Sequence, residues 1–140
     1  MDQAVPRGSL TLVVDASFTV RACLSEKAFR ALGRQRLFAP PHMWAEVRSA
    51  LHEAAYRGEL GRDAARRALD QLADAPVAVS SPQGLGREAW RIADEFGWAK
   101  THDAEYVALA KLLGCRLVTI DLALRRGTSR LGFVVGPDEI

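Results

Sequence analysis

Two short runs of apolar, largely β-branched residues, each ending at an aspartate, constrain the fold of this chain most strongly. The first is LTLVV at 10–14, followed by Asp15, and the second covers 116–120, followed by Asp121. Continuous apolar runs of this length are typical of strands buried on both faces in a parallel sheet. The carboxyl ends of such strands meet at one edge, where α/β proteins bind ligands near the switch in strand order. We therefore expect both aspartates at that edge.

The segments between and around these runs alternate between helical and strand patterns. Strands are also predicted at 37–39, 77–80 and 132–135. Helices are predicted as one or two short segments within 18–35, and at 40–57, 62–75, 86–96 and 101–113, with a further short helix after Asp121. Pro40 and Pro41 are expected in the first turn of the helix at 40–57, and Gly114 is expected at the C-cap of the helix at 101–113. The alternation predicts a three-layer α/β/α sandwich around a mostly parallel sheet.

Length and composition fit one ordinary globular domain. At 140 residues the chain is long enough for one core and too short for two. We expect a flexible leader at 1–9 and a single domain at 10–140. No apolar run approaches the ~20 residues that cross a bilayer, and the N-terminus lacks a signal-peptide pattern. A cytoplasmic protein without a membrane partner is therefore predicted, with Cys23 and Cys115 as reduced, buried thiols.

The overall charge does not identify a partner. The formal net charge is +2, which is too small to indicate nucleic-acid binding. Sixteen of the 19 cations are arginine, whose planar fork suits phosphate contacts. A genome that favours arginine codons would produce the same excess, so both explanations stay open.

Four of the 17 acidic residues have positions that surface solvation does not explain: Asp15, Glu46, Asp103 and Asp121. Either strand-end aspartate alone could simply cap the following helix, but two such residues make this explanation weaker. Glu46 lies on the shoulder of an apolar helical stripe, which by itself is a weak signal. Asp103 shares a helix face with Val107 and Ala110, although a first-turn aspartate also gains ~0.3–1 kcal/mol from the helix dipole.

Neighbouring polar residues receive no role from their spacing. Glu105 should point away from the face of Asp103 and be solvated. The three histidines, His42, His52 and His102, lack the spacing of metal ligands.

Four converging carboxylates would repel one another and raise one another's pKa values unless cations neutralised them. Oxygen ligands without cysteine pairs or spaced histidines suit Mg²⁺ or Mn²⁺. One or two such ions are expected, and two ions ~3.5–4 Å apart would clamp a phosphodiester group. The sequence therefore predicts an acidic metal site for phosphodiester chemistry.

Four segments together resemble the PIN-domain ribonucleases, and most closely the VapC-type toxins of toxin–antitoxin pairs. They are VVDAS at 13–17, PPHMWAEV at 40–47, THDAEYVALAKLLG at 101–114 and LVTID at 117–121. The resemblance extends from about Leu12 to Val135, and the last two segments at their mutual spacing are its most specific part. It places the family's acidic metal ligands on the same four residues that the patterns selected.

The resemblance also suggests accessory residues and two departures. The family's site hydroxyls fall on Ser17 and Thr119, which could orient a ligand or a phosphate oxygen or could be ordinary strand-end residues. Arg125 and Arg126, together with Arg130, could contact the RNA backbone or could be solvated. His102 replaces a tyrosine of many relatives. Ala123 stands where some PIN domains carry another acid, so a second ion would be held loosely.

The predicted function is a metal-dependent endoribonuclease that cleaves single-stranded or loop RNA, as the toxin of a VapBC-type system. The resemblance implies a cognate antitoxin, a homodimer, and contact with DNA only through the antitoxin. An apolar groove from residues 18–57, including Phe18, Phe29, Leu32 and Trp44, is expected to receive an antitoxin helix. The alternatives are a catalytically silent PIN-fold binding module and, less favoured, a phosphotransfer signalling domain. The latter needs a lysine after the last strands, and none follows Lys111.

Overall fold

A five-stranded sheet forms the centre of the computed structural model, which describes residues 10–25 and 27–140. The strands are β1 (Thr11–Val14), β2 (Arg36–Ala39), β3 (Val77–Val79), β4 (Arg116–Val118) and β5 (Val134–Val135). They lie in the order β3-β2-β1-β4-β5, and every neighbouring pair is parallel. The predicted α/β fold with a mostly parallel sheet is confirmed. The leader predicted at 1–9 lies outside the described residues.

Strand order reverses between β1 and β4, which are neighbours in the sheet although two strands separate them in sequence. Parallel crossovers are right-handed, so helices that precede and follow the reversal cover opposite faces. The contacts agree with this rule. Helices α1 (Ala16–Leu24), α3 (Met43–Tyr56) and α4 (Arg62–Ala73) pack on one another, whereas α5 (Leu85–Phe96) and α6 (His102–Leu113) form a second group. This arrangement gives the three layers that the sequence predicts.

Two shorter helices complete the set: α2 (Lys27–Arg30) and α7 (Leu122–Gly127). Single 3₁₀ turns follow at Ser129–Leu131 and Pro137–Glu139. Helix α6 ends at Gly114 in the left-handed conformation (φ 66°), which confirms the predicted C-cap. Among the described residues, no helix has the length and apolar character needed to cross a membrane.

The structure corrects three predicted boundaries. Pro40 and Pro41 precede α3 instead of lying in its first turn, because the chain forms a separate turn in which Met43 N donates to Pro40 O at 3.1 Å. Strand β4 ends at Val118, before the predicted 120. Strand β5 starts at Val134 instead of 132, because Gly132 has a φ of 80° and caps the preceding 3₁₀ turn.

The core lies on both faces of the central strands. Leu12, Val13 and Val14 of β1 have no exposed surface, as expected for a strand covered on both sides. Helix α6 is buried on most of its circumference and contacts β1 and β4. Its N-terminus is therefore anchored beside the carboxyl ends of these two strands, where the strand order reverses.

Candidate metal centre

Asp15 and Asp121 follow neighbouring strands at the carboxyl edge of the sheet. The register pairs Val14 with Val118, so the chain leaves β1 and β4 at nearly the same level. Each aspartate also caps a helix: Asp15 Oδ1 accepts from the backbone N–H of Phe18 at 2.9 Å, and Asp121 Oδ1 accepts from that of Leu124 at 3.1 Å. The capping explanation therefore applies to both residues, but a cap uses only one of the two carboxylate oxygens.

Asp15 is only 4% exposed and accepts hydrogen bonds from two hydroxyl groups. Ser17 Oγ donates to its Oδ1 at 2.8 Å, and Thr119 Oγ1 donates to its Oδ2. Thr119 Oγ1 in turn accepts from the backbone N–H of Asp121 at 3.0 Å. A hydroxyl has one proton, so both hydroxyl protons are committed to Asp15. Thr119 thereby links the two strand-end aspartates.

The pKa of Asp15 is raised to about 6. Burial is the main cause, because it removes water from the charged form. Hydrogen bonds from Phe18, Thr119 and Ser17 lower the pKa and offset part of this effect, and the charge of Asp103 raises it further. The surroundings of Asp15 therefore disfavour its ionised form relative to water.

Asp103 lies in the first turn of α6 and is exposed. Its pKa is raised by desolvation first, and then by the negative charges of Asp121 and Glu46. Because Asp15 also feels its charge, Asp103 is the common electrostatic neighbour of the other three acids. Val107 and Ala110 are fully buried as predicted, but most of α6 is buried, so this face does not by itself single out Asp103.

Glu46 occupies the first turn of α3 and is half-buried. Tyr106 Oη donates to its Oε1 at 2.5 Å, and His42 Nε2 lies 3.2 Å from the same oxygen. Burial raises the pKa of Glu46, but the contacts with His42 and Tyr106 outweigh it and the pKa is lowered overall. Glu46 thus differs from Asp15 and Asp103 in having neighbours that stabilise its charge.

His42, His102 and Tyr106 are residues of this edge that sequence analysis missed. The ring of His42 contacts both of the others, with centroid distances of 5.5 Å to His102 and 4.9 Å to Tyr106. Glu105 was predicted to be solvated, but it is half-buried with Oε1 4.0 Å from His42 Nδ1. Only the four-residue spacing of His42 and Glu46 on one helical turn could have indicated this cluster. The contact with Tyr106 joins α3 to α6 and depends on tertiary packing.

The carboxylate oxygens without hydrogen-bond partners indicate what the edge can bind. Within the described ranges, these are both oxygens of Asp103, Oδ2 of Asp121 and Oε2 of Glu46. No three Asp, Glu, His or Cys side chains among the described residues already stand close enough together to hold a metal ion. The four acids therefore share one edge without forming a closed cage, and their oxygen chemistry suits a hard divalent cation.

The three arginines after Asp121 differ in their partners. Arg125 pairs with Glu139, and Arg130 Nη2 lies 2.9 Å from Glu95 Oε2. Arg126 is exposed, and no acidic partner of it occurs in the described part of the chain. Of the predicted RNA contacts, Arg126 is thus the one whose charge is not already neutralised.

Two of the four residues that suggested an apolar groove within 18–57 are too deeply buried to line one. Phe18 and Leu32 are 1% and 2% exposed, and Phe29 and Trp44 pack against the same core. The expectation was therefore wrong for Phe18 and Leu32. Phe29 and Trp44 are half-buried, and their part in a groove stays a prediction.

Comparisons with known proteins agree with the fold. The sequence model described as "PIN domain" matches residues 12–128. The chain is 37% identical over 114 residues to VapC ribonuclease Mb0985 of Mycobacterium bovis and to ribonuclease VapC9 of Mycobacterium tuberculosis, covering 81% of this chain and 87% of each relative. Ribonuclease VapC3 of Mycobacterium tuberculosis is 38% identical over 120 residues, covering 82% and 85%. The crystal structure of PAE2754 from Pyrobaculum aerophilum superposes with a TM-score of 0.72 at 26% identity, covering 92% of this chain and 90% of that one.

Proposed function

We propose that this chain, which belongs to the PIN domain family, catalyses the metal-dependent endonucleolytic cleavage of RNA. The observation that carries the proposal is the edge at the strand-order switch, where Asp103 is the electrostatic neighbour of Asp15, Glu46 and Asp121. Similar chains named as VapC ribonucleases support the choice of RNA. The proposed substrate is single-stranded or loop RNA, whose unpaired nucleotides are accessible to a protein.

Asp103, Asp121 and Glu46 would hold the cation, because each has a carboxylate oxygen without a hydrogen-bond partner in the described structure. Asp15 would complete the set from the buried side. The donor set suits Mg²⁺ or Mn²⁺, as one ion or as two. When bound, such a cation activates water and stabilises the leaving oxygen of a phosphodiester.

The remaining residues of the edge prepare it for this chemistry. Ser17 and Thr119 orient Asp15, since both hydroxyl protons are donated to its oxygens. A bound cation would relieve the repulsion among the acids, and this relief favours cation binding at the edge. Arg126 is proposed to contact the RNA backbone beside the edge, because its guanidinium lacks an acidic partner in the described ranges.

The similarity to VapC proteins also leads us to propose a biological setting. The chain would act in the cytoplasm as the toxin of a toxin–antitoxin pair, bound and inhibited by a cognate antitoxin of the VapB kind. A homodimer is part of the same proposal, and contact with DNA would occur only through the antitoxin. Co-purification with the product of an adjacent short reading frame tests the pairing, and loss of RNA cleavage in the complex tests inhibition.

The substrate is tested with four matched oligonucleotides of one sequence: single-stranded RNA, an RNA hairpin with that sequence in its loop, duplex RNA and single-stranded DNA. With Mn²⁺ we expect cleavage of the first two and little or none of the others. A catalytically silent binding module would bind the RNAs and cleave none of them. Equal cleavage of RNA and DNA would contradict the proposed specificity while leaving the nuclease site in place.

A further inference from the structure

Glu46 is held by two residues from different elements of the fold. Tyr106, on α6, donates its hydroxyl proton to Oε1 at 2.5 Å. His42, directly before α3, has its Nε2 3.2 Å from the same oxygen. The other oxygen, Oε2, accepts no hydrogen bond from any residue that the structure describes. Glu46 is thus fixed through one oxygen, and the second is left available.

Tyr106 is a rigid anchor for this contact. Its side chain is only 1% exposed and belongs to the buried surface of α6. Helices α3 and α6 lie in different packed groups, so the hydrogen bond joins them across the edge of the sheet. A buried tyrosine hydroxyl needs a partner, and here the partner is the carboxylate of Glu46.

His42 is fixed in turn by its neighbours. Its ring contacts those of Tyr106 and His102, at 4.9 Å and 5.5 Å between centroids, and its plane is inclined by 29° to that of His102. Neither ring nitrogen makes a well-aligned hydrogen bond within the described residues. His42 therefore approaches Glu46 to 3.2 Å without an aligned hydrogen bond, and the contacts with the rings of Tyr106 and His102 hold the imidazole in this position.

We propose that Tyr106 and His42 are positioning residues that hold Glu46 by Oε1 so that Oε2 is presented to the divalent cation. A free glutamate side chain loses conformational entropy when it is ordered, and a clamp removes part of that loss from the binding step. Residues that orient metal ligands typically contribute about 10- to 100-fold to metal affinity. The inference rests on the proposed function only in requiring that the edge binds a cation.

The experiment measures Mn²⁺ affinity of the full chain by titration calorimetry. Tyr106→Phe removes only the hydroxyl, and we expect affinity to fall by about tenfold. Tyr56→Phe is the matched control, because it removes the same group from a side chain that is 86% exposed on α3, and its affinity should equal that of the wild type. Circular dichroism and the melting temperature show whether each variant is folded.

A second pair of variants tests His42 without relying on the buried tyrosine. His42→Phe keeps an aromatic ring against Tyr106 and His102 but removes the nitrogen atoms that approach Glu46. We expect a several-fold loss of Mn²⁺ affinity. His52→Phe makes the same change at an exposed position of α3 and should have no effect. In both positioning variants the Mn²⁺ requirement for RNA cleavage should rise while the KM for RNA stays unchanged.

A double-mutant cycle with Glu46→Gln separates positioning from a merely structural role. If Tyr106 acts through Glu46, adding Tyr106→Phe to Glu46→Gln should cause no further loss of Mn²⁺ affinity. An equal loss in both backgrounds, or unchanged affinity in folded Tyr106→Phe and His42→Phe, would overturn the inference. If the wild type bound no Mn²⁺, the proposed function itself would fail. Wild-type binding that is lost in Asp103→Asn but unaffected by the positioning variants would reject the inference alone.

Discussion

The acids at the carboxyl edge of the sheet and the acids along α5 carry the same charge in opposite surroundings. On α5, Glu88 accepts from Arg91, and Lys111 Nζ lies 2.8 Å from it, so its pKa is lowered to about 2. At the edge, Asp103 has no lysine or arginine partner in the described ranges, and desolvation and the charge of Asp121 raise its pKa. The acids of α5 are thus paired with cations, whereas Asp103 at the edge has other acids as its charged neighbours.

This difference shows which acids serve stability and which do not. Exposed ion pairs such as those of Glu88 stabilise a fold by little, and they leave no charge for a ligand. Buried or clustered carboxylates without cations destabilise the folded state, because water and counter-charges are removed. A natural sequence that keeps such a cluster at a strand-order switch is explained most simply if the cluster binds something positive.

The largest expected effect is on RNA cleavage, which should depend on the acids at the edge and not on those of α5. Asp15→Asn and Asp103→Asn should each lower the rate of RNA cleavage by more than roughly 100-fold, beyond the loss typical of residues that only orient metal ligands. Asparagine still caps a helix, so Asp15→Asn should keep the start of α1. The measurement is a single-turnover cleavage assay with Mn²⁺.

The control comes from the other region. Glu88→Gln removes an acid whose charge is matched by Arg91 and Lys111, and it should cleave RNA at the wild-type rate. A folded Asp103→Asn variant with near-normal activity would show that the edge is not the active site.

A smaller effect should appear in the dependence of stability on pH without metal. The pKa of Asp15 is about 6 in the folded state and near its usual low value when unfolded. Between these values the folded state binds a proton that the unfolded state does not, so the free energy of unfolding rises as pH falls from 7 toward 4.5. By pH 4.5 the gain from Asp15 reaches about 2 kcal/mol, at ~1.4 kcal/mol per pKa unit.

The α5 acids should give the opposite slope at lower pH. The lowered pKa of Glu88 adds stability above its usual range, and this is lost as pH falls from about 4 toward 2. Urea unfolding in EDTA across this range should therefore show a maximum near pH 4.5. Asp15→Asn should reduce the change in the free energy of unfolding between pH 4.5 and pH 7. A wild-type stability that instead rose steadily toward pH 7 would contradict the raised pKa of Asp15.

The smallest effect concerns stability at neutral pH. Glu88→Gln should lower the free energy of unfolding by about 1 kcal/mol or less, because its ion pairs lie at the surface. The loss should shrink in high salt, since exposed pairs are screened. Chemical denaturation at low and high NaCl concentrations measures both. A loss of several kcal/mol would mean that the α5 network is part of the core structure and not a surface feature.

The parts of the fold set by local pattern could be predicted from the sequence. Continuous apolar runs located β1 and β4, and their parallel pairing placed Asp15 and Asp121 at one edge. Gly114 identified the end of α6 because only glycine adopts its left-handed conformation readily. The start of α3 was predicted wrongly, because Pro41 fits a turn as well as a first helical turn.

The parts of the site that could not be predicted from the sequence depend on tertiary contacts. Tyr106 and Glu46 are 60 positions apart and meet only because α3 and α6 approach each other over the edge. Tyr106 read from the sequence is one more apolar residue of a buried helix, and His42 has no ligand spacing. Likewise, the partner that neutralises Arg125 is Glu139, near the end of the chain, which no local pattern connects to it.

Thermal melts of wild type, Asp103→Asn and Glu88→Gln, each in EDTA and in Mn²⁺, test most directly whether the edge acids form a cation site. A ligand that binds only the folded state adds ~2.7 kcal/mol at a hundredfold excess over its Kd. Wild type and Glu88→Gln should both gain this stabilisation with Mn²⁺, whereas Asp103→Asn should gain much less and should melt higher than wild type in EDTA. Equal Mn²⁺ shifts in all three proteins would mean that Asp103 is no ligand and that its position reflects only the start of a helix.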